Sequence, residues 1–490
     1  MRSIALLVAC LFALSLVACR PASCWTEPEP ILNKANRDRV QVRSAVDAAG
    51  RMHVVWGERV DRKSTIWYTS NVSGKFAAPV EIAKDENNLY EPGLAVDGKD
   101  VHFVWIRFMA PNPDEKKWYL EDLDIFYRKM TGDTWTEPVN ISNDKGKAVK
   151  PCVAVRHDVG PVITWDENVY ENGSSEVFYA EWDGKGFTKK ANLSNTVGGR
   201  IYGSVAANLA IAPCGDVTVV WPDSISGLYH VYACRKVGGV WLGAKEITRM
   251  PTGPGYPGIT VGPDNRVHVV YAGNGAVWHQ RWNGSVWTEP QALPGGLEDP
   301  ARAMVAVDPD NFVHVACDNR NQVYYSTNAY GAWTPWALLS TSPHQTARSP
   351  EIHYAAGALT VVWRTGYEGW WGVPGGQDMH YVTSPLPTYK RSATITGTVN
   401  DSEGKTVAFA TINAGPYETS TDTDGKYTLG KLRTEVYTVT ASKSGYRTAV
   451  ENRVPAEERD QVVKVDFTLS AHAIAPAEGA KAEAGGRTSR

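Results

Sequence analysis

His53-Val54-Val55-Trp56 reads as a short buried strand ending on a large aromatic ring, and the chain repeats it. His102-Phe-Val-Trp105, Val162-Ile-Thr-Trp165, Thr218-Val-Val-Trp221 and His268-Val-Val-Tyr271 follow the same pattern, and His314-Val-Ala-Cys317 and Thr360-Val-Val-Trp363 are weaker copies. Their last residues are separated by 49, 60, 56, 50, 46 and 46 positions. An alternating strand such as Gly93-Leu-Ala-Val-Asp97 precedes each copy, and another follows it, as in Ile66-Trp-Tyr68, Ile125-Phe-Tyr127 and Val323-Tyr-Tyr325. A fourth strand opens on an aromatic residue: Phe76, Trp135, Phe187, Trp241, Trp287 or Trp333.

Four strands in a period of about 40–50 residues is the pattern of a β-propeller blade. Seven copies of the second strand predict an all-β fold with a seven-bladed β-propeller over 25–386. The seventh copy lacks a fourth strand, because the chain runs from Tyr381 into Pro385 and Pro387. Trp25-Thr-Glu-Pro28 matches Trp135-Thr-Glu-Pro138 and Trp287-Thr-Glu-Pro290 yet stands before the first complete repeat. The N-terminal strand is therefore expected to pair with the last blade, which removes an open sheet edge.

The composition agrees. The 490 residues include 18 Trp, 22 Tyr, 44 Gly and 29 Pro, a mixture suited to short strands and tight turns rather than a helical bundle. With 50 Lys+Arg against 53 Asp+Glu the formal net charge is −3, which excludes a strongly basic nucleic-acid binder. Arg2 followed by the apolar run 4–17 reads as a leader, too short to span a bilayer. Leu16-Val17-Ala18-Cys19 resembles the lipobox of bacterial lipoproteins, which implies cleavage after residue 18, lipidation of Cys19 and a tether over 19–24. An ordinary secretory leader cut near Ala18 is the other reading. Five further cysteines outside the leader, Cys24, Cys152, Cys214, Cys234 and Cys317, form no CxxC pair, so no metal site is expected.

Ser326-Thr-Asn-Ala-Tyr-Gly-Ala-Trp333 and Thr69-Ser-Asn-Val-Ser-Gly-Lys-Phe76 resemble worn copies of the Asp-box (BNR) repeat of sialidases, and Thr134-Trp135 keeps its last two positions. The resemblance implies a sialidase-like propeller in which that box is a peripheral turn. The chain departs from sialidases in its blade number and in lacking an Arg-Ile-Pro motif. Thr394-Ile-Thr-Gly-Thr-Val, Asp422-Thr-Asp-Gly-Lys-Tyr-Thr-Leu429 and Tyr437-Thr-Val-Thr-Ala resemble the carboxypeptidase regulatory-like, transthyretin-type module. This implies a small non-catalytic β-sandwich over 391–470. The Ala/Gly/Glu-rich stretch 471–490 cannot bury a core and is expected to be disordered.

Strand direction places candidate ligand-binding residues. The starts of the inner strands and the residues after the second strands share the face on which propeller pockets open. They include Arg43, Glu91, Lys150, Tyr256, Arg302 and Arg348, and Arg107, Asp166, Glu167, Asp318 and Arg364. Arginines at a concave mouth suit a sugar bearing carboxylates or sulfates, since guanidinium clamps an oxyanion through two parallel bonds. Asp166, Glu167, Asp318 and Tyr256 are the candidate catalytic acids and bases. Trp118, Trp370 and Trp371, on long loops above the same face, are candidate sugar-stacking residues. Cys214 and Cys234 fall near the opposite face and form a disulfide candidate. Trp25 follows Cys19 by six residues, at most about 20 Å of chain, so that opposite face is expected to lie toward a membrane.

The expected protein is a monomeric, lipid-anchored envelope lipoprotein that binds a polysaccharide or glycoconjugate, outside the cytoplasm and without nucleic acid or cofactor; a structural calcium ion stays open. Arg20 after the lipidated cysteine favours the outer over the inner membrane. A glycoside hydrolase or polysaccharide lyase using the same pocket, and a non-catalytic protein-interaction scaffold, are the alternatives.

Overall fold

The computed structural model describes residues 25–32, 38–60, 63–85, 89–110, 122–143, 145–157, 159–168, 175–195, 207–225, 228–250, 256–329, 332–340, 346–366, 378–385, 391–415, 417–433, 435–456 and 461–471. Two compact units divide the chain, Met1–Leu386 and Pro387–Arg490. Among the described residues every regular element is a strand, and no helix is long and apolar enough to cross a membrane.

In the first unit the described strands form seven sheets, taken here in chain order of their first strands. Sheet one is Asp38–Val46, Met52–Val60, Lys63–Ser70 and Val80–Asp85. The first strands of sheets two to six are Leu89–Asp97, Ala148–Arg156, Asn208–Ile211, Gly258–Val261 and Pro300–Val307. Sheet seven contains Thr346–Ala355, Ala358–Gly366 and Asp378–Pro385, and its fourth strand is Glu29–Pro30, antiparallel to the last of these with Glu29 opposite Tyr381. Three bonds extend this latch: Thr26 N–H donates to Thr383 O at 2.9 Å, Ile31 N–H to Met379 O at 2.8 Å, and Tyr381 Oη to Glu29 Oε2 at 2.7 Å.

The sheets follow one another in a closed cycle. First strands touch in sequence order, and Thr346–Ala355 touches Asp38–Val46. Each seam has its own apolar cluster, and the seam between sheets seven and one holds Ile31, Met52, Trp56, Val362 and Met379. The repeated aromatics of the second strands are core: Trp56, Trp105, Trp165, Trp221 and Tyr271 are at most 2% exposed.

A second set of rings steps back by one sheet at several of the seams. Phe187 of sheet three meets Tyr127 of sheet two edge to face at 4.9 Å between centroids, and Trp241 of sheet four meets Tyr179 of sheet three at 4.7 Å. Trp25 meets Tyr325 of sheet six at 4.9 Å, and Phe76 meets Tyr381 of sheet seven at 5.8 Å. Trp25 thus occupies in sheet seven the place these rings hold elsewhere. Its copy of the motif reached its station from the far end of the chain.

In sheets two, three, five and six the fourth strands are shorter than their aromatics predict. Phe187, Trp287 and Trp333 lie ahead of two-residue strands, Ala191–Asn192, Gln291–Ala292 and Ala337–Leu338. In sheet two, Thr134–Trp135 and Val139–Asn140 pair separately on either side of Pro138, which has no N–H to give the ladder. The two fuller copies of the peripheral turn share one bond: Thr69 Oγ1 donates to Ala77 O at 2.7 Å and Ser326 Oγ to Thr334 O at 2.8 Å. The expected disulfide does not form. Cys214 is an exposed thiol on the first hairpin of sheet four, whereas Cys234 is buried against Val217, Val219 and Trp221, inside the seam with sheet three.

In the second unit, Arg391–Asp401 pairs with Lys426–Arg433, Val462–Lys464 and Phe467–Leu469, and Thr411–Ala414 pairs with Tyr417–Ser420 and Glu435–Ser442, beside Ala449–Ala456. Residues of both sheets share one core, including Ile395, Ile412, Leu429, Val439 and Phe467. Gly397 is obligatory there, since a Cβ would stand 1.7 Å from Val465 O.

Buried histidines tie second strands to third. The Nδ1 atoms of His53, His102 and His314 lie 2.7, 2.9 and 2.8 Å from the hydroxyls of Tyr68, Tyr127 and Tyr325. Burial lowers the pKa of His53 and His102, in the latter case to about 4. The folded state therefore keeps His102 neutral, while an unfolded chain protonates it below about 6.5. Its contribution to stability is complete above that value and is lost as pH falls toward 4. The urea midpoint is expected to drop between pH 7 and pH 5. Trp25→Ala is expected to cost about 2 kcal/mol in the same titration at pH 7. An unchanged midpoint would show that the N-terminal segment does not hold the cycle shut.

Candidate functional site

Antiparallel pairing sets the start of each first strand beside the end of its second strand, as Arg348 opposite Arg364 and Val149 opposite Asp166 show. At this end the first strands of sheets one, two, three, six and seven carry a bulge, between Val40 and Arg43, Tyr90 and Gly93, Val149 and Cys152, Pro300 and Ala303, and Arg348 and Glu351. Three bulges place a non-glycine residue before proline in the left-handed region: Glu91 at φ 45°, Lys150 at φ 53° and Ser349 at φ 53°. Such a conformation costs about 1 kcal/mol or more per residue and persists where surrounding bonds impose it.

Carboxylates supply those bonds. Lys150 N–H donates to Glu91 Oε2 of sheet two at 2.7 Å. Ser349 N–H donates to Asp318 Oδ2 of sheet six at 3.0 Å, while Asp318 Oδ1 takes Arg302 N–H at 2.6 Å. Glu351 Oε2 receives Ser44 N–H at 2.5 Å and Ser44 Oγ at 2.8 Å, and Ser44 Oγ also meets His353 Nε2 at 2.9 Å. The bulges of sheets three and seven are thus fastened to the preceding sheet, sheet one is held to sheet seven beside its bulge, and the bulge of sheet six is held by a carboxylate of its own sheet.

Most of the positive residues expected at this face converge. Arg43 Nε lies 3.5 Å from Glu351 Oε1. Burial first, then Arg43, pushes the pKa of Arg302 down to about 10, against Glu351 and Asp318 and with a further push from Arg364. Arg364 is lowered by burial, then by Arg348 and Arg43. A small cleft of about 10 Å³ between sheets seven and one is lined by Val42, Ser349, Glu351, Val362, Trp363 and Arg364. Cys152 of sheet three is raised first by burial and also feels Arg43, Glu351 and Arg302, so strands from four sheets face one central space.

A second cluster forms around Lys150. Its Nζ lies 3.9 Å from Asp166 Oδ2 and 5.2 Å from the ring centroid of Tyr256 of sheet five. Burial works to lower the lysine pKa, but Asp166, Tyr256 and Glu91 outweigh it and hold the ammonium above its usual value. Asp166 is fully buried and Tyr256 is 43% exposed. The group is a charged donor, a buried acceptor and an accessible phenol side by side.

Other candidates lie elsewhere. Glu167 turns into sheet three, where Lys190 Nζ binds Oε1 at 2.5 Å and Trp165 Nε1 donates to Oε2 at 2.9 Å. Asp318 spends both oxygens on backbone amides, which makes it a fastener rather than an acid or base. Arg107 pairs with Asp85 of sheet one at 2.6 Å across the seam of sheets one and two, its guanidinium 5.3 Å above Phe126. Cys19, Trp118, Trp370 and Trp371 lie outside the described residues. Ser44 and Ser349 were not among the sequence candidates. The available signal was the recurring pair Glu91-Pro92, Lys150-Pro151, Tyr256-Pro257 and Ser349-Pro350, because proline inside a strand run marks a bulge.

Residues 394–470 match the family model of the carboxypeptidase regulatory-like domain. No curated protein matches the chain by sequence. Among solved structures, an ulvan lyase bound to a glucuronate–rhamnose sulfate chain is similar at 12% identity, covering 71% of this chain and 94% of its own, with a TM-score of 0.46. An α-L-arabinofuranosidase of Fusarium graminearum is similar at 12% identity, covering 73% and 97%, with a TM-score of 0.43. The Trypanosoma rangeli sialidase is similar at 9% identity, covering 74% of this chain and 57% of its own, with a TM-score of 0.40. These neighbours are glycan-cleaving enzymes; likeness at this level assigns no activity to the chain.

Glu351→Ala is expected to cost about 2–3 kcal/mol in urea unfolding, because it strands the Ser44 amide and hydroxyl, while Ser44→Ala costs about 1 kcal/mol. Equal effects would show that the carboxylate is not the fastener of this seam.

Proposed function

We propose that residues 25–386 form a sialidase-like, seven-bladed β-propeller whose mouth binds carbohydrate carrying carboxylates or sulfates. One observation carries the reading: Arg43, Arg302 and Arg364 crowd together, so that Arg302 and Arg364, lowered first by burial, are lowered further by Arg43 against the pull of Asp318. An oxyanion placed among them relieves that repulsion and gains charge-assisted bonds. In this reading residues 1–18 are a signal peptide, Cys19 carries lipid, and 19–24 tether the propeller to the envelope, with the outer membrane favoured by Arg20. Residues 391–470 form a β-sandwich that acts as a spacer, and the protein works as a monomer.

A second reading, in which the mouth also cleaves the chain it holds, is favoured by Lys150, Asp166 and Tyr256. An accessible phenol beside a fixed ammonium is equipped to move a proton at a bound sugar.

Arg364→Met and Arg348→Glu are each expected to weaken binding of an anionic polysaccharide roughly tenfold, with a smaller loss as salt is raised. The check is titration calorimetry against a panel of neutral, carboxylated and sulfated polysaccharides. Binding that ignores both substitutions, or equal affinity for neutral chains, refutes the anion site and leaves a protein-interaction scaffold. Release of reducing ends, or of unsaturated ends absorbing in the near ultraviolet, that Tyr256→Phe abolishes separates cleavage from binding alone.

A further inference from the structure

The connection between the second and third strands is a two-residue turn in sheets five and six, where Gly273 faces Ala276 and Asn319 faces Gln322 across the ladders. The rim is low on that side. In sheet five the turn is Asn274-Gly275, with φ of 53° and 70°, a pair that suits a type I′ hairpin. Sheet six puts Arg320 where sheet five has Asn274, at φ 47°, followed by Asn321 at φ 66°. An arginine gains nothing from that backbone conformation, so its side chain is the reason to look there.

The side chain is held out over the rim. Arg320 pairs with Glu298, and the two remain 64% and 66% exposed. The turn beneath is fixed on both flanks: Asp299 N–H donates to Asn319 Oδ1 at 2.7 Å, and Ala347 N–H to Asn321 O at 2.7 Å. Arg348 Nε donates to Asn321 Oδ1 at 2.5 Å, which connects the rim to the arginines of the mouth. Guanidinium, carboxylate and amide groups therefore continue outward from Arg364 through Arg348 to Arg320, an alternation of donors and acceptors that suits sugar hydroxyls as well as anions.

We infer that Arg320 and Glu298 form a second subsite, and that the ligand is a sugar chain several units long that leaves the mouth across sheet six. The inference rests on the anionic-carbohydrate reading and adds to it the length and direction of the ligand.

Size-fractionated heparin, as a generic carboxylated and sulfated chain, tests it in disaccharide and dodecasaccharide sizes on the full-length protein. Arg320→Asn restores a favoured turn residue, so its melting temperature is expected to hold or rise. It is expected to weaken dodecasaccharide binding roughly fivefold and leave the disaccharide unchanged, while Lys185→Asn, an equal loss of charge on an exposed distal turn, changes neither. Arg364→Met weakens both sizes. If Arg320→Asn and Lys185→Asn behave alike while Arg364→Met still weakens both, the rim subsite is wrong and the mouth stands. If the wild type binds neither size, or Arg364→Met has no effect, the mouth reading fails and the subsite falls with it.

Discussion

The last sheet of the cycle is completed not by a strand that follows it but by one that precedes the first sheet. Here that piece is the segment from Trp25 to Ile31, and the rest of the first unit depends on its pairing with Asp378–Pro385. The pairing is small in backbone terms. What makes it sufficient is the company of side chains. Trp25 closes the aromatic series on Tyr325, and Ile31 enters the seam cluster with Met52, Trp56 and Met379. A short ladder with two apolar anchors substitutes for a full strand.

The same closure sets the chemistry at the centre. Seven inner strands brought round one axis crowd their first residues together, and the bulges let the chain turn side chains inward there. Backbone amides freed by the bulges need acceptors, and Glu91, Asp318 and Glu351 provide them across the seams. Those carboxylates are thereby committed to structure. The arginines beside them keep more positive charge than their immediate partners neutralise, so the polarity of the mouth follows from how the seams are fastened.

Much of the architecture was legible because the period is carried by large, unambiguous residues. Trp56, Trp105, Trp165 and Trp221 mark the second strand of their sheets, and the duplicated Trp-Thr-Glu-Pro motif gave away the displaced strand. The site was half legible. Strand direction alone brought Arg43, Arg302, Arg348 and Arg364 to one end. It also held the answer for Glu167, because alternation along its unbulged second strand sets Glu167 on the face of Trp165, whose Nε1 donates to it; the count fails only on the bulged first strands, at residues such as Lys150 and Ser349. The cysteines failed for a related reason: Cys214 and Cys234 share an end of sheet four, but burial in a seam and exposure on a hairpin separate them.

The position of the latch in the chain bears on how the protein is made. The segment from Trp25 to Ile31 must wait for a strand produced some 350 residues later, and no intermediate with fewer sheets can complete the ladder. Until that meeting, Asp378–Pro385 presents a bare row of amides and carbonyls, the kind of surface on which one polypeptide recruits another. The species most prone to clumping is therefore the nearly finished one, and a chaperone that masks that row would guard the slowest moment of biogenesis.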